Sequence, residues 1–175
     1  MHSELIRAFQ RQVLFQCNVV LRAEADLKVA LGPPANAQEI FYALQNLLNA
    51  AANLSKAFWG SKGRLSEQRK PLRESLGVAD ESALKETGMR NHYEHYDERL
   101  DRWWAESEKH SHVEIIGPNS EVLGIDPIDR LRRYAINARI AYFWGEDFDI
   151  GAIVDEVQRL LPRVQEEAIK PLWDD

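Results

Sequence analysis

The run Arg90-Asn91-His92-Tyr93-Glu94-His95-Tyr96-Asp97-Glu98-Arg99 gathers a proton-transfer group, an amide and two permanent cations in one short stretch. Laid on a helix at about 100° per residue, its side chains separate into two faces. Met89, Tyr93, Tyr96, Leu100 and Trp103 recur at spacings of four and three and make an apolar stripe aimed at a core. Asn91, His95 and Arg99 follow one another at i, i+4 on a polar face, with Glu98 and Arg102 beside them as an ordinary ion pair. His95 therefore points toward solvent, a cleft or another subunit, where an imidazole can exchange protons near neutral pH. Arg90 sits one turn below on a long side chain and can swing its guanidinium toward the same anion.

A histidine beside an arginine, with no acidic metal cage, suits attack of a ribose 2′-hydroxyl on the neighbouring phosphate. The imidazole takes the proton and the guanidinium stabilises the phosphorane charge. Asn91 is placed to orient the ring or contact the phosphate. Arg90, Asn91, three intervening residues and His95 resemble the R-N-x-x-x-H motif of the HEPN superfamily, helical proteins that include many metal-independent endoribonucleases of toxin–antitoxin and defence systems. The resemblance covers roughly residues 1 to 110. It implies Arg90 and His95 as the catalytic pair, Asn91 as their organiser, and a homodimer in which two copies of the motif form one cleft. Arg99 and Arg102 are the substrate-binding candidates on the same face. Tyr96 follows His95 directly and Asp97 holds the position where one toxin branch carries a tyrosine, so inactivation by nucleotidylation there is not expected.

Two other readings compete. The motif face can be the polar surface of an interaction module, with Trp103, Trp104, Tyr142, Phe143 and Trp144 supplying contact area. Alternatively His92 and His95, at i, i+3, can share a metal with a carboxylate from another helix, although the run has no Glu-x-x-His pair. His110 and His112 fall in a loop, and no cofactor is expected.

Composition bounds the choice. At 175 residues, 45% hydrophobic and 29% charged, the chain reads as a single domain able to bury a core. Its net charge of −6 argues against nonspecific coating of nucleic acid, which relies on many Lys and Arg contacts to phosphate. A cleaving enzyme needs only a local basic patch. Lys56, Lys62, Arg64, Arg69, Lys70 and Arg73 make one candidate group, and Arg130, Arg132 and Arg133 a second. Cys17 is the lone cysteine, so no disulfide framework or thiolate metal site is available and a reducing cytoplasm is the expected setting. No secretory pattern and no run of 18 apolar residues occurs, so no membrane association is expected.

The elements that must position these groups are mainly helical. Leu5, Phe9, Val13, Cys17, Val20, Leu27 and Leu31 mark a helix over about Ser3 to Leu31, stopped by Gly32-Pro33-Pro34. Asn36 with Glu39 three residues on resembles a capping box, and Ile40, Leu44, Leu47, Ala51, Leu54 and Phe58 give the stripe of a second helix ended by Gly60 and Gly63. A short connection makes these an antiparallel hairpin. Pro71 restricts the next helix to about 71–76, closed by Gly77, and the motif helix follows from about Ser82 to Ser107, with Gly88 permitting a close approach just before Arg90. The period then changes. His112 to Ile116 and Glu121 to Leu123, about the Gly117-Pro118-Asn119-Ser120 cluster, predict a β-hairpin. Arg133 to Ile136 and Arg139 to Trp144 form a second hairpin or, for the first piece, a helix from Asp126-Pro127. Asp147 or Asp149 caps a last helix with Ile150, Ile153, Val157, Leu160, Leu161 and Val164 inward and Pro162 bending it. The expected fold is a mainly α, HEPN-like antiparallel bundle, residues 1–175, with a small antiparallel β insertion at about 111–144.

Overall fold

The computed structural model describes residues 2–60, 64–85, 95–118, 124–143 and 146–173, which are mainly helical with a small mixed sheet. The chain divides into two compact units, Met1–Glu86 with Ile153–Asp175, and Thr87–Ala152. Among the described residues no helix is long and apolar enough to cross a membrane.

The first unit is built on α1 (Ser3–Ala30) and α2 (Ala37–Trp59). Residues 31–36 turn the chain back, and Asn53 Nδ2 donates to Gln16 Oε1 at 3.5 Å, so the two helices run antiparallel. Asn36 Oδ1 accepts from the amides of Gln38 (3.1 Å) and Glu39 (3.3 Å), supplying partners for the free donors of the first turn. At the other end Gly60, φ 75°, closes α2 where an added Cβ would lie 2.4 Å from that of Leu65, so both backbone and space require glycine. The expected stripe of α2 is fully buried, and Phe41, Ala43, Leu48 and Ala57 are buried on its other sides. This makes α2 the central helix of the unit.

On α1, Val13, Cys17, Val20 and Leu27 are buried, while Leu5 is 44% exposed and Phe9 and Leu31 are half-buried. α3 spans Arg64–Leu76, longer than the expected 71–76, with Pro71 inside it. A proline there costs a hydrogen bond, but Leu72, Arg73 and Leu76 are buried beneath the same turns and hold the helix together. α5 (Ile150–Ala168; α4 is given below) lies mostly in this unit and buries Ile153, Val154, Val157, Leu160 and Val164. Leu161 is half-buried and Val154 takes the inward place expected of it. Arg163 Nε donates to Ser75 O at 2.6 Å and Arg159 donates to Gly77 O at 3.1 Å, so two cations of α5 satisfy carbonyls at the end of α3.

The second unit holds α4 (Tyr96–Glu106) and a four-stranded sheet of order β1-β2-β3-β4, with β1 Val113–Gly117, β2 Arg130–Ala135, β3 Ile140–Phe143 and β4 Glu146–Asp149. β2, β3 and β4 are successive antiparallel neighbours, and the expected hairpin turning near Asn137-Ala138 forms between β2 and β3. β1 instead pairs parallel to β2, with Ile115 opposite Arg133. That corrects the wholly antiparallel β segment: the described partner of β1 is reached through a crossover, which short apolar runs in sequence do not reveal. Residues 119–123, assigned in sequence to its hairpin mate, lie outside the described residues. Asp126-Pro127 opens only a short 3-10 turn, Pro127–Asp129. Asp149 Oδ1 accepts from Ala152 N at 2.8 Å and caps α5, one of the two caps expected.

Candidate active site

α4 begins later than periodicity suggests. His95 has φ −125° and ψ 37° and stands as the N-cap, so the helix does not run unbroken through it from Ser82. Ser82 instead caps the 3-10 turn Ala83–Lys85, its Oγ accepting from Leu84 N at 3.3 Å and donating to Glu156 Oε1 at 2.7 Å. The helix start was written in the sequence as Asp97 and Glu98, two carboxylates in the first turn that favour the positive end of the helix dipole. Arg90 and Asn91, the other members of the motif, lie outside the described residues, as do His92, Gly88, Met89 and Tyr93.

The His95 side chain is 52% exposed, and Glu98 Oε1 lies 3.3 Å from its Nδ1. A carboxylate at Nδ1 favours the tautomer with the proton on that nitrogen and leaves Nε2 as a base. Arg99 is half-buried, one turn on, and its amide donates to His95 O at 3.2 Å, the first bond of the helix. Arg102 Nε donates to Glu106 Oε1 at 2.9 Å. The expected Glu98–Arg102 pair is therefore replaced by two others, His95–Glu98 and Arg102–Glu106. The expected core stripe also fails on the described part: α4 buries none of its residues, with Tyr96 59% and Trp104 64% exposed and Leu100 and Trp103 half-buried.

The far end of α4 is anchored by groups that sequence reasoning did not single out. Asp129, 1% exposed, accepts from Ser107 Oγ at 2.5 Å and from Trp103 Nε1 at 3.1 Å. The Ser107 hydroxyl chiefly, then the Trp103 indole, holds the Asp129 carboxyl below its usual range against the opposing effect of desolvation. Ser107 Oγ also accepts from His110 N at 2.8 Å, and the His110 ring lies 4.1 Å from that of Trp104. Neither Ser107 nor Asp129 carries a local signal, because they lie 22 positions apart in the chain.

The first basic group is largely occupied by structural work. Arg73, 5% exposed, donates to Phe58 O and Ser66 O, both at 2.8 Å, Arg69 stacks on Phe9, and Lys70 faces Glu74. Lys62 lies outside the described residues. Among the described residues no group of three or more His, Cys, Asp or Glu is placed to hold a metal ion. No family model, curated protein or solved structure matches this chain.

Proposed function

We propose that this chain is a metal-independent endoribonuclease of HEPN type. His95 removes the proton of a ribose 2′-hydroxyl, Arg90 stabilises the phosphorane, Asn91 organises the pair, and Arg99 and Arg102 contact the substrate strand. The 2′-oxygen bonds to phosphorus as the P–O5′ bond breaks, the downstream strand leaves as a 5′-hydroxyl on taking a proton from solvent, and the upstream product carries a 2′,3′-cyclic phosphate. The observation that supports this reading is the solvent-open His95 imidazole with the Glu98 carboxylate at its Nδ1, an arrangement that orients a general base. The roles of Arg90 and Asn91, a HEPN-like bundle, a homodimer with a shared cleft, and a toxin or defence setting with a protein antitoxin come from the motif resemblance. The test is cleavage of mixed RNA in excess chelator by the wild type beside His95→Ala and Arg90→Ala. Loss of cleavage in both variants with unchanged melting supports the proposal; full activity in both removes it.

One observation favours a second reading. A helix that buries nothing yet exposes Tyr96 and Trp104 is suited to a partner surface, as a non-catalytic interaction module would require. A purified protein that forms a stable assembly and cleaves no RNA would favour it.

A further inference from the structure

The second basic group divides in an informative way. Arg130 donates to Ile125 O at 2.9 Å through Nε, and Arg132 pairs with Glu114 at 2.6 Å. Arg133 does neither. It is only 9% exposed, its guanidinium lies 3.6 Å from the centre of the Tyr142 ring, and among the described residues no hydrogen bond or ion pair holds it, its buried Nε included.

Such a group needs a partner. A guanidinium cannot escape burial by losing its proton, and an aromatic ring beneath it offsets only part of the lost hydration. Tyr142 occupies one face of the plane. What remains for recognition is the edge, whose fork of N–H donors matches two oxygens of a phosphate or carboxylate.

Sheet register limits the guest further. Ile115, Arg133, Tyr142 and Asp147 stand in one row across β1 to β4. Asp147 is exposed and two strands from Arg133, roughly 10 Å away at ordinary strand spacing, too far to pair with it. Its charge nevertheless disfavours a second negative charge at the site, so a singly charged oxyanion fits better than a dianionic one.

We propose that Arg133 is a binding residue for one phosphodiester group of single-stranded RNA, with the Tyr142 ring packed against its guanidinium. The choice of phosphodiester over carboxylate rests on the ribonuclease reading above. The receptor itself rests on the sheet.

The test uses the full chain and a short fluorescent oligoribonucleotide with 2′-O-methyl groups, which lacks the nucleophile for cleavage. Binding is followed by anisotropy over a range of salt concentrations, with cleavage of unmodified RNA measured alongside. Arg133→Met is expected to weaken binding about tenfold and to reduce the slope of log K against log salt by about 0.7, the loss of one phosphate contact on a single strand. Arg133→Lys, which keeps charge and stem but not the fork, is expected to bind at least severalfold more weakly than wild type, and serves if the Met variant fails to fold. Dimethyl phosphate should compete with the strand on wild type at fixed ionic strength, and acetate should not. Binding by both variants equal to wild type, absence of binding by wild type, or competition by acetate as strong as by dimethyl phosphate would overturn the proposal. Absent cleavage with binding that depends on Arg133 sinks the ribonuclease reading alone; cleavage with binding indifferent to Arg133 sinks this one alone.

Discussion

The Ser107 hydroxyl donates to the buried Asp129 carboxylate across 2.5 Å, tying the end of α4 to the residue that precedes β2. Two donors, Ser107 and the Trp103 indole, depend on that one acceptor. Asp129→Ala leaves both without an acceptor, the Ser107 hydroxyl in a buried place and the indole in a half-buried one, whereas Ser107→Ala keeps the indole bond and frees only the amide of the exposed His110. Asp129→Ala should therefore lower Tm more than Ser107→Ala. A red shift of tryptophan emission should accompany it, as Trp103 loses its tether.

The same carboxylate gives a pH prediction. Folding lowers the Asp129 pKa, so its contribution to stability is complete above the usual carboxylate range near about pH 4 and is lost as pH falls through the folded-state value. Glu156 and Glu167 are lowered too, by Arg159 and Lys170 first, and act with the same sign. Acid titration followed by circular dichroism should show stability falling below about pH 4, and Asp129→Asn should flatten that dependence.

Among the described residues Glu167 binds three side chains: Arg7 at 2.9 Å, Lys170 at 2.6 Å and Gln10 at 3.4 Å. Gln10 is 1% exposed and also donates to Ser75 Oγ at 3.0 Å, so the carboxylate completes a buried network. Glu167→Ala is expected to cost about 1–2 kcal/mol in urea unfolding. A change within experimental error would mean that water replaces it without loss.

At the start of α2, Asn36→Ala removes the oxygen that serves two amides and should cost about 1 kcal/mol, with Asn36→Asp close to wild type. Denaturant midpoints at constant slope are the measurement.

Among the described residues, the side chain that His95 bonds is that of Glu98, and the contact is at the surface. His95→Ala should leave the free energy of unfolding within about 0.5 kcal/mol of wild type while lowering RNA cleavage by about a hundredfold or more. Glu98→Ala should cause a smaller loss, carried by kcat and not KM, since it orients the base without touching substrate.

What sequence disclosed here was local. The Asn36 cap, the Gly60 stop, the stripe of α2 and the Asp149 cap are decided by residues within a few positions of one another, and each is found where spacing put it. The failures are of two kinds. Pro71 lies within a helix because distant apolar residues are buried with Leu72 and Leu76, and β1 joins β2 in parallel through a crossover; both depend on chain far away. At His95 a regular apolar period masked a helix start that the acidic pair Asp97 and Glu98 announced. The candidate site was legible as chemistry, an open imidazole, but not as geometry: its carboxylate neighbour is Glu98, which spacing had assigned to Arg102.

The chain leaves the helical unit after Glu86 and re-enters it only at Ile153. On the ribosome, α5 is thus translated after the whole of the intervening unit, and the surfaces of α1 and α3 that it clamps through Glu167 and Arg163 stay wet until then. Nascent chains stalled before α5 should be greasy, protease-sensitive clients of holding chaperones, and protection should arrive abruptly once that helix has cleared the exit tunnel.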